Sequence, residues 1–154
     1  MPESAAAAYE RALRLLTVRP RGARELEQAL ADRGFAPEAV AGALERLERA
    51  GLLDDLAAAR SAVRLRGARY GRARVERELK ARGLAKETIA AAFEAEGGAE
   101  REGAALRHAF ARLWKAKSNL EPSLRRRRVF DALTRRGFPA AAISEIIRGW
   151  YEID

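Results

Sequence analysis

Apolar residues recur at three- and four-residue intervals along most of this chain, the spacing that puts side chains on one face of an α-helix. Tyr9, Leu13 and Leu16 form one such stripe, Val40, Leu44 and Leu47 another, and Leu106, Phe110, Leu113 and Trp114 a further one. Between the stripes stand helix punctuators: Pro20 and Gly22, Gly34 and Pro37, Gly51, Gly67 and Gly71, Gly83, the pair Gly97-Gly98, Pro122 and Gly137. No stretch has the strict alternation of a half-buried strand. The pattern predicts an all-α protein made of short helices.

The pattern also repeats. Leu26, Leu30, Arg33, Gly34, Val40 and Leu44 map onto Val75, Leu79, Arg82, Gly83, Ile89 and Phe93 by a shift of 49. A further shift of 54 carries the second set onto Val129, Leu133, Arg136, Gly137, Ile143 and Ile147. A period of about 50 residues suits a unit of three short helices, and self-similarity at a fixed period is the mark of a repeat architecture. Three tandem three-helix repeats are expected, over residues 1–53, 54–97 and 98–154.

Local signals refine the units. Ser4 offers an N-cap to the first helix, which should stop before Pro20 because proline disfavours helical geometry at Arg19. Gly22 is the expected N-cap of a helix from Ala23 to Arg33, and Gly34 the left-handed residue that closes it, with Phe35 folding back on Leu30. Pro37 fits the first turn of the next helix. Asp54 or Asp55 is suited to cap a long helix to about Arg66; an acid–base reading of the pair lacks partners. The last helix should end through Trp150, Tyr151 and Ile153.

Composition narrows the function. The chain has 154 residues, 48% of them hydrophobic, with many alanines, so thin cores between closely approaching helices are expected. It has no cysteine, hence no disulfide framework and no thiolate nucleophile or metal ligand. No apolar run reaches the roughly 20 residues of a membrane span, and Met1-Pro2-Glu3-Ser4-Ala5 lacks the layout of a signal peptide, so a cytoplasmic location is expected. Lys and Arg number 30 against 22 Asp and Glu, with a pI near 10.7, a balance that favours an acidic partner such as nucleic acid.

The charge is uneven. Residues 1–53 balance eight basic against eight acidic residues, 54–97 hold ten against seven, and 98–154 twelve against seven. From Arg60 to Lys86 there are ten basic residues and only Glu76 and Glu78 to oppose them, more than i to i+4 pairing can neutralise. With Val75 and Leu79 turned inward, 100° steps place Arg74, Arg77 and Ala81 outward and Lys80 at the flank. The second and third repeats are therefore expected to meet phosphate or an acidic surface, and the first to meet protein. The expected contact set is Arg64, Arg66, Arg69, Arg72, Arg74, Arg77, Lys80, Lys115, Lys117, Arg125, Arg126, Arg127, Arg128 and Arg135. Because Arg125 to Arg128 open a helix, their side chains should spread around it. Trp114, Trp150 and Tyr151 could stack on bases, but their helical spacing with Phe110, Leu113 and Ile147 favours core packing.

Catalysis finds no support. His108 stands alone, so neither a metal cluster nor a histidine-centred relay can be assembled, and no metal or cofactor is expected. Gly67, Gly71 and Gly83 lack the spacing and lysine of a Walker loop. A non-enzyme is expected.

Gly51-Leu52-Leu53-Asp54-Asp55 with Val63, then Gly71 and Arg74-Val75-Glu76-Arg77-Glu78-Leu79 with Arg82-Gly83-Leu84, closely resemble the central signature of the bacterial RecX family. Leu13-Arg14-Leu15-Leu16, Arg19-Pro20-Arg21 and Glu25-Leu26 resemble its opening, and the likeness covers nearly the whole chain. One departure is Leu56-Ala57-Ala58-Ala59, where the family tends to carry an aromatic after the paired aspartates. The resemblance implies an elongated, curved modular protein of tandem three-helix units. It further implies a regulator of the RecA recombinase in DNA repair, homologous recombination and the SOS response. Such a protein would lie as a monomer along the groove of the RecA filament on single-stranded DNA and suppress ATP hydrolysis and strand exchange. Duplex DNA is a further expected partner.

Two rival readings come from other classes. Glu25 to Leu53 alone resembles the helix-turn-helix of a duplex-binding transcription regulator, but a recognition helix from Glu38 to Arg49 would bring Glu38, Glu45 and Glu48 towards phosphates, and no wing strands follow. A helical-repeat scaffold that binds only protein would show no salt-sensitive association with DNA.

Overall fold

A computed structural model describes the backbone of residues 4–153 and the side chains of residues 4–150. Among the described residues are nine α-helices and no strand: α1 (Ala5–Val18), α2 (Ala23–Asp32), α3 (Pro37–Arg49), α4 (Asp55–Arg66), α5 (Arg72–Ala81), α6 (Lys86–Ala95), α7 (Gly98–Ala116), α8 (Pro122–Arg135) and α9 (Ala140–Ile153). They follow as three successive triplets. By spatial proximity the chain divides into two compact units, Met1–Ser61 with Leu79–Ala92 and Ala62–Glu78 with Phe93–Asp154. The division falls inside α4, α5 and α6.

In the first unit, Leu26, Leu30 and Leu47 are fully buried with Ala8, Ala12, Val40 and Ala43. Burying one leucine contributes about 1.5–3 kcal/mol, so three of them anchor this small core. The alanines let α1 and α3 approach closely, and a Cβ on Gly42 would stand 3.1 Å from that of Ala5. In the second unit, Leu106, Phe110 and Trp114 of α7 pack with Val129 and Leu133 of α8 and with Phe138, Ile143 and Ile147. Phe110 and Trp114 stack at 5.4 Å between centroids, and Trp150 closes edge-on at 5.7 Å from Phe110. Trp114 is core, as its spacing predicts; Trp150 makes the same contacts while remaining 43% exposed. The side chains of Tyr151 and Ile153 lie outside the described residues.

The repeated positions keep one geometry. Gly34, Gly83 and Gly137 have φ of 91°, 88° and 91°, a left-handed conformation that glycine adopts without the penalty of a Cβ. At each, the next residue's N–H reaches back five positions, Phe35 to the Leu30 carbonyl, Leu84 to Leu79 and Phe138 to Leu133, at 3.2–3.3 Å. With the glycine N–H bonded to Ala31, Lys80 and Thr134 respectively, this is a Schellman closure in all three.

The N-terminal caps differ in origin. Ser4 caps α1 by accepting from the Ala7 N–H at 3.1 Å, and Asp54 caps α4 by accepting from Ala57 at 2.9 Å. Gly22, at the start of α2, has no side chain to offer, and Asp55 supplies the acceptor from α4, taking the Ala23 N–H at 3.0 Å. The second unit repeats the device. Gly71 precedes α5, and Glu102 of α7 accepts from the Arg72 N–H. Each glycine is where a Cβ would collide: on Gly22 with Leu84 and Asp55, on Gly71 with the Gly137 carbonyl and the Phe138 nitrogen. At the equivalent place in the last triplet stands Glu121, which caps α8 with its own carboxylate through the N–H groups of Ser123 and Leu124. The paired aspartates are therefore both caps, one for its own helix and one for α2.

Candidate nucleic-acid and filament interface

The arginine-rich stretch is built around Tyr70, in the turn between α4 and α5. The Arg66 guanidinium lies 4.3 Å from the ring centroid and that of Arg74 lies 4.1 Å from it, cation–π contacts that hold both side chains in place. Arg66 also forks onto Glu78, Nε to Oε2 at 3.0 Å and Nη2 to Oε1 at 2.7 Å. That charge-assisted pair raises the Arg66 pKa above its ordinary value. Arg74 approaches the same carboxylate at 3.6 Å and donates to the Arg135 carbonyl at 3.3 Å.

Other expected contact residues are likewise engaged. Arg64 pairs with Glu96, which Arg101 also holds at 3.2 Å, and Arg101 donates to the Arg64 carbonyl at 3.1 Å. Arg72 lies over the Phe93 ring at 4.6 Å. Arg125 turns inward onto Trp114, its guanidinium 4.0 Å from the ring and its Nε 3.0 Å from the Trp114 carbonyl. Carboxylates distant in sequence, Glu78 for Arg66 and Glu96 for Arg64, supply the neutralisation that i to i+4 spacing could not. Arg74, expected on the outward face, is half-buried because Tyr70 and the Arg135 carbonyl draw it in.

What remains outward is a smaller set. Arg77 and Arg69 are exposed and show no side-chain ion pair or hydrogen bond among the described residues. Arg127, Arg128, Arg135 and Lys115 are exposed in the same way, and Lys117 is half-buried. Lys80 and Arg126 are exposed and engaged with neighbours. The run Arg125 to Arg128 does spread around α8, with Arg125 inward and the other three exposed.

The structure adds basic residues that the sequence had filed elsewhere. In the second unit, Arg69, His108, Arg112 and Arg136 line one cleft of about 600 Å³ with Ala68, Ala109, Leu113 and Ala116. Arg136 reads in sequence as a scaffold position and His108 as an isolated residue; only the placement of α7 beside the end of α8 joins them. In the first unit, Arg21 has its pKa lowered, foremost by burial and then by the nearby charge of Arg19, with Glu25 opposing and Arg82 adding to the repulsion. Arg19 and Arg21 both pair with Glu25 there. Among the described residues no group of three or more His, Cys, Asp or Glu could hold a metal ion.

A family model described as RecX, first three-helix domain, matches residues 8–47, and one described as RecX, second three-helix domain, matches residues 54–92. The chain is 35% identical over 142 residues to the regulatory protein RecX of Stenotrophomonas maltophilia strain R551-3, covering 90% of this chain and 84% of that protein. The chain belongs to the RecX family. The RecX proteins of Xanthomonas citri, at 36% identity over 90% of this chain and 85% of theirs, and of Thermobifida fusca, at 33% over 88% and 74%, are similar relatives. Among solved structures, a regulatory protein RecX superposes with a TM-score of 0.80 at 24% identity, covering 94% of this chain and 73% of that one. RecX from Lactobacillus salivarius superposes with 0.76 at 18%, covering 97% of both. These two share the fold. No helix among the described residues is long and apolar enough to cross a membrane.

Proposed function

We propose that this RecX-family chain is a negative regulator of RecA that binds the RecA–single-stranded DNA filament along its groove. Binding there suppresses ATP hydrolysis and strand exchange. The repeats over 54–97 and 98–154 carry the contact to phosphate or to an acidic filament surface, and the repeat over 1–53 meets protein. The observation that carries this reading is the set of exposed arginines left without carboxylate partners on those two repeats, Arg69 and Arg77 in one and Arg127, Arg128 and Arg135 in the other. Paired surface arginines need no partner molecule, whereas unpaired ones keep their charge available to an anion.

The helix-turn-helix alternative gains nothing from the fold. Glu38, Glu45 and Glu48 of α3 are all exposed, and no wing strand is present among the described residues. Association of the labelled chain with preformed RecA filaments on single-stranded DNA, measured across a salt series, tests the proposal. Binding that weakens steeply with salt is expected. Salt-independent binding, or a protected palindrome on duplex DNA, would overturn it.

A further inference from the structure

We infer that the cleft of the second unit lined by Arg69, His108, Arg112 and Arg136 binds a phosphate ester. Arg69, Arg112, Arg136 and His108 line one concavity of about 600 Å³, and none of its lining residues carries a carboxylate. Two other clefts of this unit differ in this respect, with Glu102 in the one holding Arg72 and Arg101 and Glu145 in the one holding Arg107 and Arg148; a third, with Arg126, Arg127 and Arg148, also lacks a carboxylate but has no imidazole. The side chains of Arg69, Arg112 and Arg136 show no ion pair among the described residues. Fold stability does not explain their grouping, because the Arg136 contribution to the scaffold is its backbone carbonyl, which accepts from the Gly71 N–H at 2.7 Å.

The ligand class follows from the donors. Guanidinium forks match the oxygens of phosphate in pairs, and several of them around one concavity select a tetrahedral, multiply charged group over a lone carboxylate. The cleft volume is that of a nucleotide-sized ligand. Its apolar floor, Ala109, Leu113 and Ala116 along α7, gives a sugar or base a dry surface beside the charged rim. A phosphodiester of a single strand and the phosphate of a free nucleotide share this chemistry. The strand form deepens the filament-binding reading and rests on it; the free-nucleotide form does not.

The chain contains one histidine, so the imidazole proton resonances of His108 in the untagged chain need no assignment. They report on the cleft alone. Inorganic phosphate, dAMP and a short oligothymidylate are titrated separately while oligothymidylate binding is followed in parallel by anisotropy. Saturable movement of the His108 signals is expected with at least one of the three, and R112Q should weaken the affinity that they report by about tenfold or more, the usual loss for a charge-assisted hydrogen bond. Arg112 is exposed on α7, so R112Q should keep the fold, which circular dichroism checks. Movement with the strand only assigns a phosphodiester, and movement with dAMP in the absence of strand binding assigns a nucleotide while refuting the DNA reading. Signals unmoved by all three while the strand still binds elsewhere would overturn the cleft and leave the filament reading intact. Movement that R112Q leaves unchanged would also overturn it.

Discussion

Replacing Gly71 with alanine tests whether the helix-start glycines are there for close approach. Its φ is not in the left-handed region, so the backbone tolerates alanine and the cost is steric. A Cβ at this position would come within 3.0 Å of the Gly137 carbonyl oxygen and carbon and of the Phe138 nitrogen, all backbone atoms that cannot rotate away. Overpacking of this kind costs about 1–3 kcal/mol. Moving the two segments apart also stretches the 2.7 Å bond from the Gly71 N–H to the Arg136 carbonyl, worth about 1 kcal/mol. The reduced entropy of the unfolded alanine chain offsets about 0.4–1 kcal/mol. A net loss of roughly 1–3 kcal/mol is expected. Urea unfolding followed by tryptophan fluorescence reads it, since Trp114 and Trp150 both lie in the second unit. Two companions calibrate the result. At Gly22 the obstacles are the ends of the Leu84 and Asp55 side chains at 3.0 and 3.1 Å, so G22A should lose less. At Gly149, within α9, nothing lies inside 4 Å, and G149A should gain about 0.5–1 kcal/mol. If G71A is as stable as the parent, the close-approach reasoning is wrong.

Removing the borrowed cap with D55A should destabilise the first unit by about 1 kcal/mol, and hydrogen exchange should quicken at the Ala23 amide that Asp55 holds rather than at the start of α4. Glu121 has its pKa lowered, foremost by the Ser123 hydroxyl and then by the Ser123 and Leu124 amides. Its contribution is therefore present above the ordinary glutamate value near pH 4.3 and lost as pH falls through the lower folded value; in an acid titration E121Q should lack that increment, and identical curves would refute the cap. Neutralising Arg77 and Arg127 together should make the log–log salt dependence of single-strand binding shallower by roughly 0.7 for each phosphate contact removed, with circular dichroism unchanged.

The scaffold was legible because periodic leucines and left-handed glycines are local signals. Leu30, Gly34 and Phe35 announce a closure from six consecutive residues, and the same words recur at Leu79 and Leu133. The trans caps were not legible, since nothing near Gly22 points to Asp55, 33 residues on. The charged surface was legible as a density and not as a face. Ten basic residues against two in one stretch forecast excess charge, yet Tyr70, Glu78 and Glu96 then tie down Arg64, Arg66 and Arg74, and apart from the Arg74–Glu78 pair within α5 these contacts lie on no helical wheel. The cleft around His108 was the least visible, because α7, the turn before α5 and the end of α8 each contribute one or two of its donors.

Hydrolysis of ATP by RecA on single-stranded DNA, titrated with this protein, tests the proposed function most directly. The rate should fall as the protein approaches stoichiometry with the filament, and fall less for the Arg77 and Arg127 double variant. A rate unchanged at and beyond stoichiometric levels would contradict the account.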